Sequence, residues 1–102
     1  MTVTHGETKR EFINSDEGWA YAVSQTAPVT VTLFEHWVSK DGSFTGDGAE
    51  DGYLYMDDDN LDITLDLNGY TIDRGLKSAI SDGQVLKIDD GKQTITDSIG
   101  TG

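Results

Sequence analysis

The chain has 102 residues, a formal charge of −12 and no cysteine. That length gives one domain at most, with a modest core; the missing cysteines exclude a disulfide framework, thiolate chemistry and a thiolate metal site. The negative excess argues against docking on nucleic acid phosphates or an anionic membrane. No apolar run reaches membrane-spanning length, and the N-terminus lacks a basic-then-apolar signal pattern.

Met1 to Lys9 is polar, with Thr2-Val3-Thr4 a short edge strand at most. Asn14-Ser15-Asp16-Glu17 has capping-box spacing, an oxygen-bearing residue followed three positions on by Glu. Trp19, Ala22 and Val23 then form an apolar stripe, which predicts a helix from about Ser15 to Gln25, stopped by Pro28. Gly18 weakens that helix by about 1 kcal/mol relative to Ala. Val29 to Leu33 alternates as a strand with one buried face, and Phe34 to Val38 prolongs the β-favouring chemistry.

Lys40 to Gly52 reads as a long loop rich in glycine and acid, with Phe44 its one large apolar residue. Tyr53 to Met56 reads as a strand and Asp57 to Asn60 as an acidic turn. Ile63, Leu65 and Leu67 alternate with Thr64 and Asp66, and Asn68-Gly69 supplies two residues that tolerate positive φ. Short pieces follow: Ser78 to Ile80, a turn at Asp82-Gly83, a strand over Gln84 to Ile88, a turn at Asp89-Asp90-Gly91 and a last strand over Gln93 to Asp97. No capping element follows that strand, the pattern expected of a piece of a longer protein.

Val31, Ile63 and Ile95 recur every 32 residues, and Leu33 and Leu65 share the interval. Such a period suggests stacked units. The segment Ile63-Thr64-Leu65-Asp66-Leu67-Asn68-Gly69-Tyr70-Thr71-Ile72 resembles the "vTLDLNGhTI" segment of bacterial surface proteins built as right-handed parallel β-helices, the pectin-lyase-like architecture. Flanking wording agrees, with "vTvTL" at Val29 to Leu33 and "lkI…G..tITdS.GtG" from Leu86 to Gly102. The resemblance implies an all-β chain with one short N-terminal helix, a β-helix fragment of two to three coils, and display outside the cell. Residues 1–28 would form the capping segment and residues 29–102 the coils, with an acidic insertion over 41–60 longer than the family wording would have it. The alternative is local: two β-rich runs around Asn-Gly are also a hairpin signal, which leads to an antiparallel β-sandwich.

Ten acids and no Lys or Arg lie between Asp41 and Asp73. Asp47, Glu50, Asp51, Asp57, Asp58 and Asp59 are the candidate ligands for calcium, which takes six to eight oxygens; the plain reading is a solvated loop held open by its own repulsion. Tyr53 and Tyr55 share one face of a strand, and with Trp37 they are the candidate aromatic surface for a glycan. Pectate lyases of the resembled architecture combine carboxylate-bound calcium with an arginine base; Arg74 follows the motif, without a matching constellation around it. His5 and His36 read as surface histidines, and no Gly-x-Ser-x-Gly elbow is present.

The leading expectation is a structural or interaction module of an extracellular bacterial β-helix protein, without catalysis or a resident cofactor of its own. Its expected partners are a glycan or cell-surface protein, or a second copy joined through the open end of the solenoid. The other expectations are a carbohydrate-binding or calcium-dependent polysaccharide-active unit, and an acidic mimic of nucleic acid charge.

Overall fold

Thr and β-branched residues alternate along this chain, and the structure sets their apolar faces against one another. A computed structural model describes residues 1–25, 28–76 and 85–97, and the backbone but not the side chains of Asp59 and Asp90. It is mostly β with one helix: β1 (Thr2–His5), β2 (Thr8–Glu11), α1 (Ser15–Val23), β3 (Val29–Thr32), β4 (Trp37–Val38), β5 (Ala49–Glu50), β6 (Tyr53–Asp66), β7 (Ile72–Asp73) and β8 (Leu86–Thr96). The expected pieces at Ser78 to Ile80 and Asp82-Gly83 lie outside the described residues. A radius of gyration of 12.9 Å is that of a compact chain.

The centre is a parallel ladder in which β3 pairs β6 and β6 pairs β8. Val31 lies opposite Leu65, and Leu65 opposite Ile95. The expected 32-residue column is therefore corrected: the first step spans 34 positions and the second 30. Both differ from 32 by two, so each strand keeps the same face inward. Outside that face Thr30, Thr64 and Thr94 form a matching polar column. β1 runs antiparallel to the other edge of β3, with Val3 opposite Val31, and β2 covers β1 with a fully exposed Thr-Lys-Arg-Glu strand. Val3, Val31, Leu33, Ile63 and Leu65 are all buried, joined by Trp19 and Ala22 from the helix. Each such side chain contributes about 1.5–3 kcal/mol on burial.

The Asn68-Gly69 turn forms with positive φ at both residues, and the Tyr70 amide donates to the Leu67 carbonyl at 2.9 Å. It is nonetheless not a hairpin. The chain moves on, and Ile72–Asp73 pair in parallel with Trp37–Val38 as a second, two-stranded sheet. Side-chain geometry explains why the corner holds: the Asn68 Nδ2 donates to the Leu33 carbonyl one rung earlier, and the Gly69 amide donates to the Asp97 carboxylate one rung later.

Two elements read as separate from sequence are continuous. Tyr53 to Met56, the acidic turn and the run from Asp62 to Asp66 merge into β6, whose register with β8 shifts between Met56 and Asp62. β8 likewise runs through the expected turn at Asp89-Asp90-Gly91. Gly91 has φ of +98°, and a Cβ there would stand 2.6 Å from the Asp58 carbonyl oxygen. Only glycine lets β8 cross that bulge.

The helix begins where the capping box places it, with the Glu17 amide donating to the Asn14 side chain, and ends at Val23 rather than Gln25. Gly18 has a packing cause: a Cβ would lie 2.6 Å from the Met1 side chain. Among the described residues no helix is long and apolar enough to cross a membrane.

Candidate functional site

The acidic insertion is folded down rather than held open. Asp-Gly pairs make two tight turns in it: Lys40 bridges Ser43 across Asp41-Gly42, and β5 pairs β6 across Asp51-Gly52, with positive φ at all four turn residues. Phe44 is buried and meets the Trp37 ring edge-on at 5.2 Å, while Trp37 packs at 6.1 Å from Trp19. Gly48 lies so close over Trp19 that a Cβ would stand 2.2 Å from the indole. Apolar burial of three aromatic rings outweighs repulsion among carboxylates that stay in water.

Two charged residues outside the insertion hold it. Asp16, in the first turn of α1, accepts the Trp37 indole N–H at 2.7 Å on one oxygen, and the Thr45 amide and hydroxyl at 2.8 and 2.9 Å on the other. Arg74 is buried; its Nε donates to the Gly42 carbonyl at 2.8 Å and an Nη to the Asp51 carbonyl at 3.1 Å. The Ser39 hydroxyl donates to the Arg74 carbonyl. Arg74 is thus engaged with loop backbone. The sequence signal for Asp16 was its position at the helix dipole; for Arg74 it was being the first cation after a long acidic stretch.

The candidate aromatic residues separate. Trp37 is 3% exposed, inside the Trp19–Phe44 cluster. Tyr53 and Tyr55 do meet each other, in an edge contact at 6.1 Å, but Tyr53 is 4% exposed beneath Lys87, whose ammonium sits 5.8 Å from its ring centre. Tyr55 is the accessible member. Its hydroxyl donates to Asp89 at 2.6 Å. That hydrogen bond, with smaller contributions from desolvation and Asp57, pushes the phenol well above its ordinary value, so it stays a donor. Tyr55, Asp57, Lys87 and Asp89 therefore form one patch, of which Lys87 and Asp89 were not among the residues expected from sequence.

The candidate calcium ligands other than Asp59, whose side chain lies outside the described residues, do not gather. Asp47, Glu50, Asp51, Asp57 and Asp58 are exposed, and among the described residues no three of His, Asp or Glu are placed to hold one metal ion. Asp47 borders an open depression of about 460 Å³ with Asp16, Glu17 and Thr45, where the Asp16 oxygens are already occupied by Trp37 and Thr45. His36 accepts the Thr71 amide on Nδ1 at 3.1 Å, and His5 meets the Tyr21 hydroxyl at 3.2 Å. Comparison of the chain with family models, with curated proteins and with solved structures gave no match.

Proposed function

We propose that residues 29–97 are successive coils of a parallel β-helix, closed on one side by the N-terminal hairpin and helix, and that the chain is a structural and interaction module of an extracellular bacterial surface protein. The observation that carries this reading is the column Val31–Leu65–Ile95, together with an Asn68-Gly69 corner bonded to the rung on either side. The wording of residues 63–72 supports the extracellular setting. The test is a cross-strand disulfide. Thr64 and Thr94 face outward at one register position, and neighbouring strands lie about 4.8 Å apart, within disulfide reach. Thr64→Cys with Thr94→Cys is expected to oxidise readily, whereas Thr64→Cys with Thr96→Cys, two positions out of register, stays reduced. The reverse pattern removes the stack and the function built on it.

A second reading draws on the Tyr55 patch. A solvent-facing phenol between Asp57 and Asp89, on a partly buried tyrosine, offers a ring edge and carboxylate acceptors to a neutral glycan. Amide shifts confined to residues 53–57 and 87–89 on adding soluble oligosaccharides would support it; unchanged spectra at millimolar sugar would dismiss it.

A further inference from the structure

The ladder ends differently on its two sides. On the β3 side, β1 lies antiparallel and β2 then presents four exposed polar and charged residues. On the β8 side the same inward column ends on Ile95, which is 58% exposed while Leu65 one rung below is 1% exposed. Among the described residues β8 pairs with β6 alone. Beside Ile95 lies a recess of about 250 Å³ whose lining is mostly apolar, formed by Leu65, Leu67, Ile72, Leu86 and Ile95 among others. The recess is lined from both β6 and β8, so it adjoins the exposed end of the aliphatic column.

We propose that this edge is a receptor for one further parallel strand: an extended polypeptide segment with aliphatic residues at alternate positions and Thr or another polar residue between them. The inference rests on the stacked reading above and adds to it the identity of the occupant. Three features select that occupant. The backbone of β8 offers a row of donors and acceptors in the register already used twice, at β3–β6 and β6–β8. The inward column, Val3–Val31–Leu65–Ile95, calls for a further branched aliphatic residue, and the outward column, Thr4–Thr30–Thr64–Thr94, for a further Thr or polar residue. Charge placement weighs against a second copy of β8 in three of its two-fold registers. A two-fold antiparallel pairing centred on Gly91 sets Lys87 opposite Ile95, against the apolar column; centring it on Asp90 or Lys92 sets like charges opposite each other.

The probe is the blocked peptide DITLDLNGYTID, which reproduces residues 62–73 and so carries the chemistry of a rung. Added to the full chain, it is expected to bind saturably and to shift and protect β8 amides while leaving β2 amides unchanged. Ile95→Asp, at an exposed position, is expected to keep the thermal melt and to weaken binding at least about tenfold, the effect of losing one buried aliphatic contact. A peptide with Ile63 and Leu65 replaced by Ser is expected not to bind. No saturable binding at millimolar peptide, with the Thr64–Thr94 disulfide formed, overturns the receptor and leaves the stack standing; failure of that disulfide removes both. A chain that sediments as a dimer undisturbed by the peptide and sensitive to Ile95→Asp assigns the edge to a second copy and also overturns the proposal.

Discussion

Asp16→Ala isolates the contact that joins the helix, the second sheet and the acidic insertion. The carboxylate accepts the Trp37 indole N–H hydrogen bond, and Trp37 is 3% exposed, so its removal leaves a buried donor unsatisfied. That costs about 1–3 kcal/mol. The two Thr45 groups are exposed and regain water, adding a few tenths, and the lost charge at the helix start adds about 0.3–1 kcal/mol. The sum is about 2–4 kcal/mol, which for a domain of this size lowers Tm by about 10–25 °C. Urea unfolding followed by tryptophan fluorescence reads it as a lower midpoint at unchanged slope. Asp16→Asn keeps one carbonyl acceptor for the indole and is expected to lose about half as much. The reasoning is refuted by an Asp16→Ala loss below about 0.5 kcal/mol, or by an Asn variant no better than Ala, because either result detaches the stability from the indole bond.

Three further outcomes are expected. Gly91→Ala sets a Cβ 2.6 Å from the Asp58 carbonyl at a φ of +98° and should destabilise by about 3 kcal/mol or more in the same urea assay; a loss under about 1 kcal/mol would contradict the bulge. Arg74→Met leaves the Gly42 and Asp51 carbonyls without their buried donor and should cost about 2–3 kcal/mol, with amide exchange over residues 40–52 accelerating before that of β3 and β6; uniform acceleration would mean Arg74 does not act through the insertion. The Tyr55 phenol is raised in the folded state, so its contribution is fully present below the ordinary tyrosine range near 10 and is lost as pH rises through the higher folded value. Absorbance titration should therefore show one late-ionising tyrosine that moves earlier in Asp89→Asn, and an unmoved titration would clear Asp89 of that role.

What could be read in advance was local. Asn14 and Glu17 announced the helix start, and Val29 to Thr32 and Ile63 to Asp66 announced strands by alternation, because those signals lie within a few residues of what they specify. The column partners were shifted because only the pairing is constrained, while the connections between rungs are free to differ in length; Val31 meets Leu65 and not Ile63. Asn68-Gly69 was ambiguous for a related reason. A turn with two positive φ values suits a hairpin, yet the Asn68 side chain also reaches the Leu33 carbonyl, a partner 35 positions away that no local pattern reveals. In the insertion the acids dominate the composition, while the fold is decided by Phe44, Gly48 and two distant charges. Trp37 and Tyr53 looked like ligand surfaces for the same reason that makes them good core: large rings suit both.

The outer strand Thr8–Glu11 has a kinetic consequence. A ribbon of Thr and Val strands with two bare edges would elongate from either end, as a fibril seed does. Here one terminus is poisoned by lysine, arginine and glutamate side chains that resist registration with an incoming strand. Strand addition at the β2 side of the sheet is thereby slowed by charge alone, with no covering helix or loop needed.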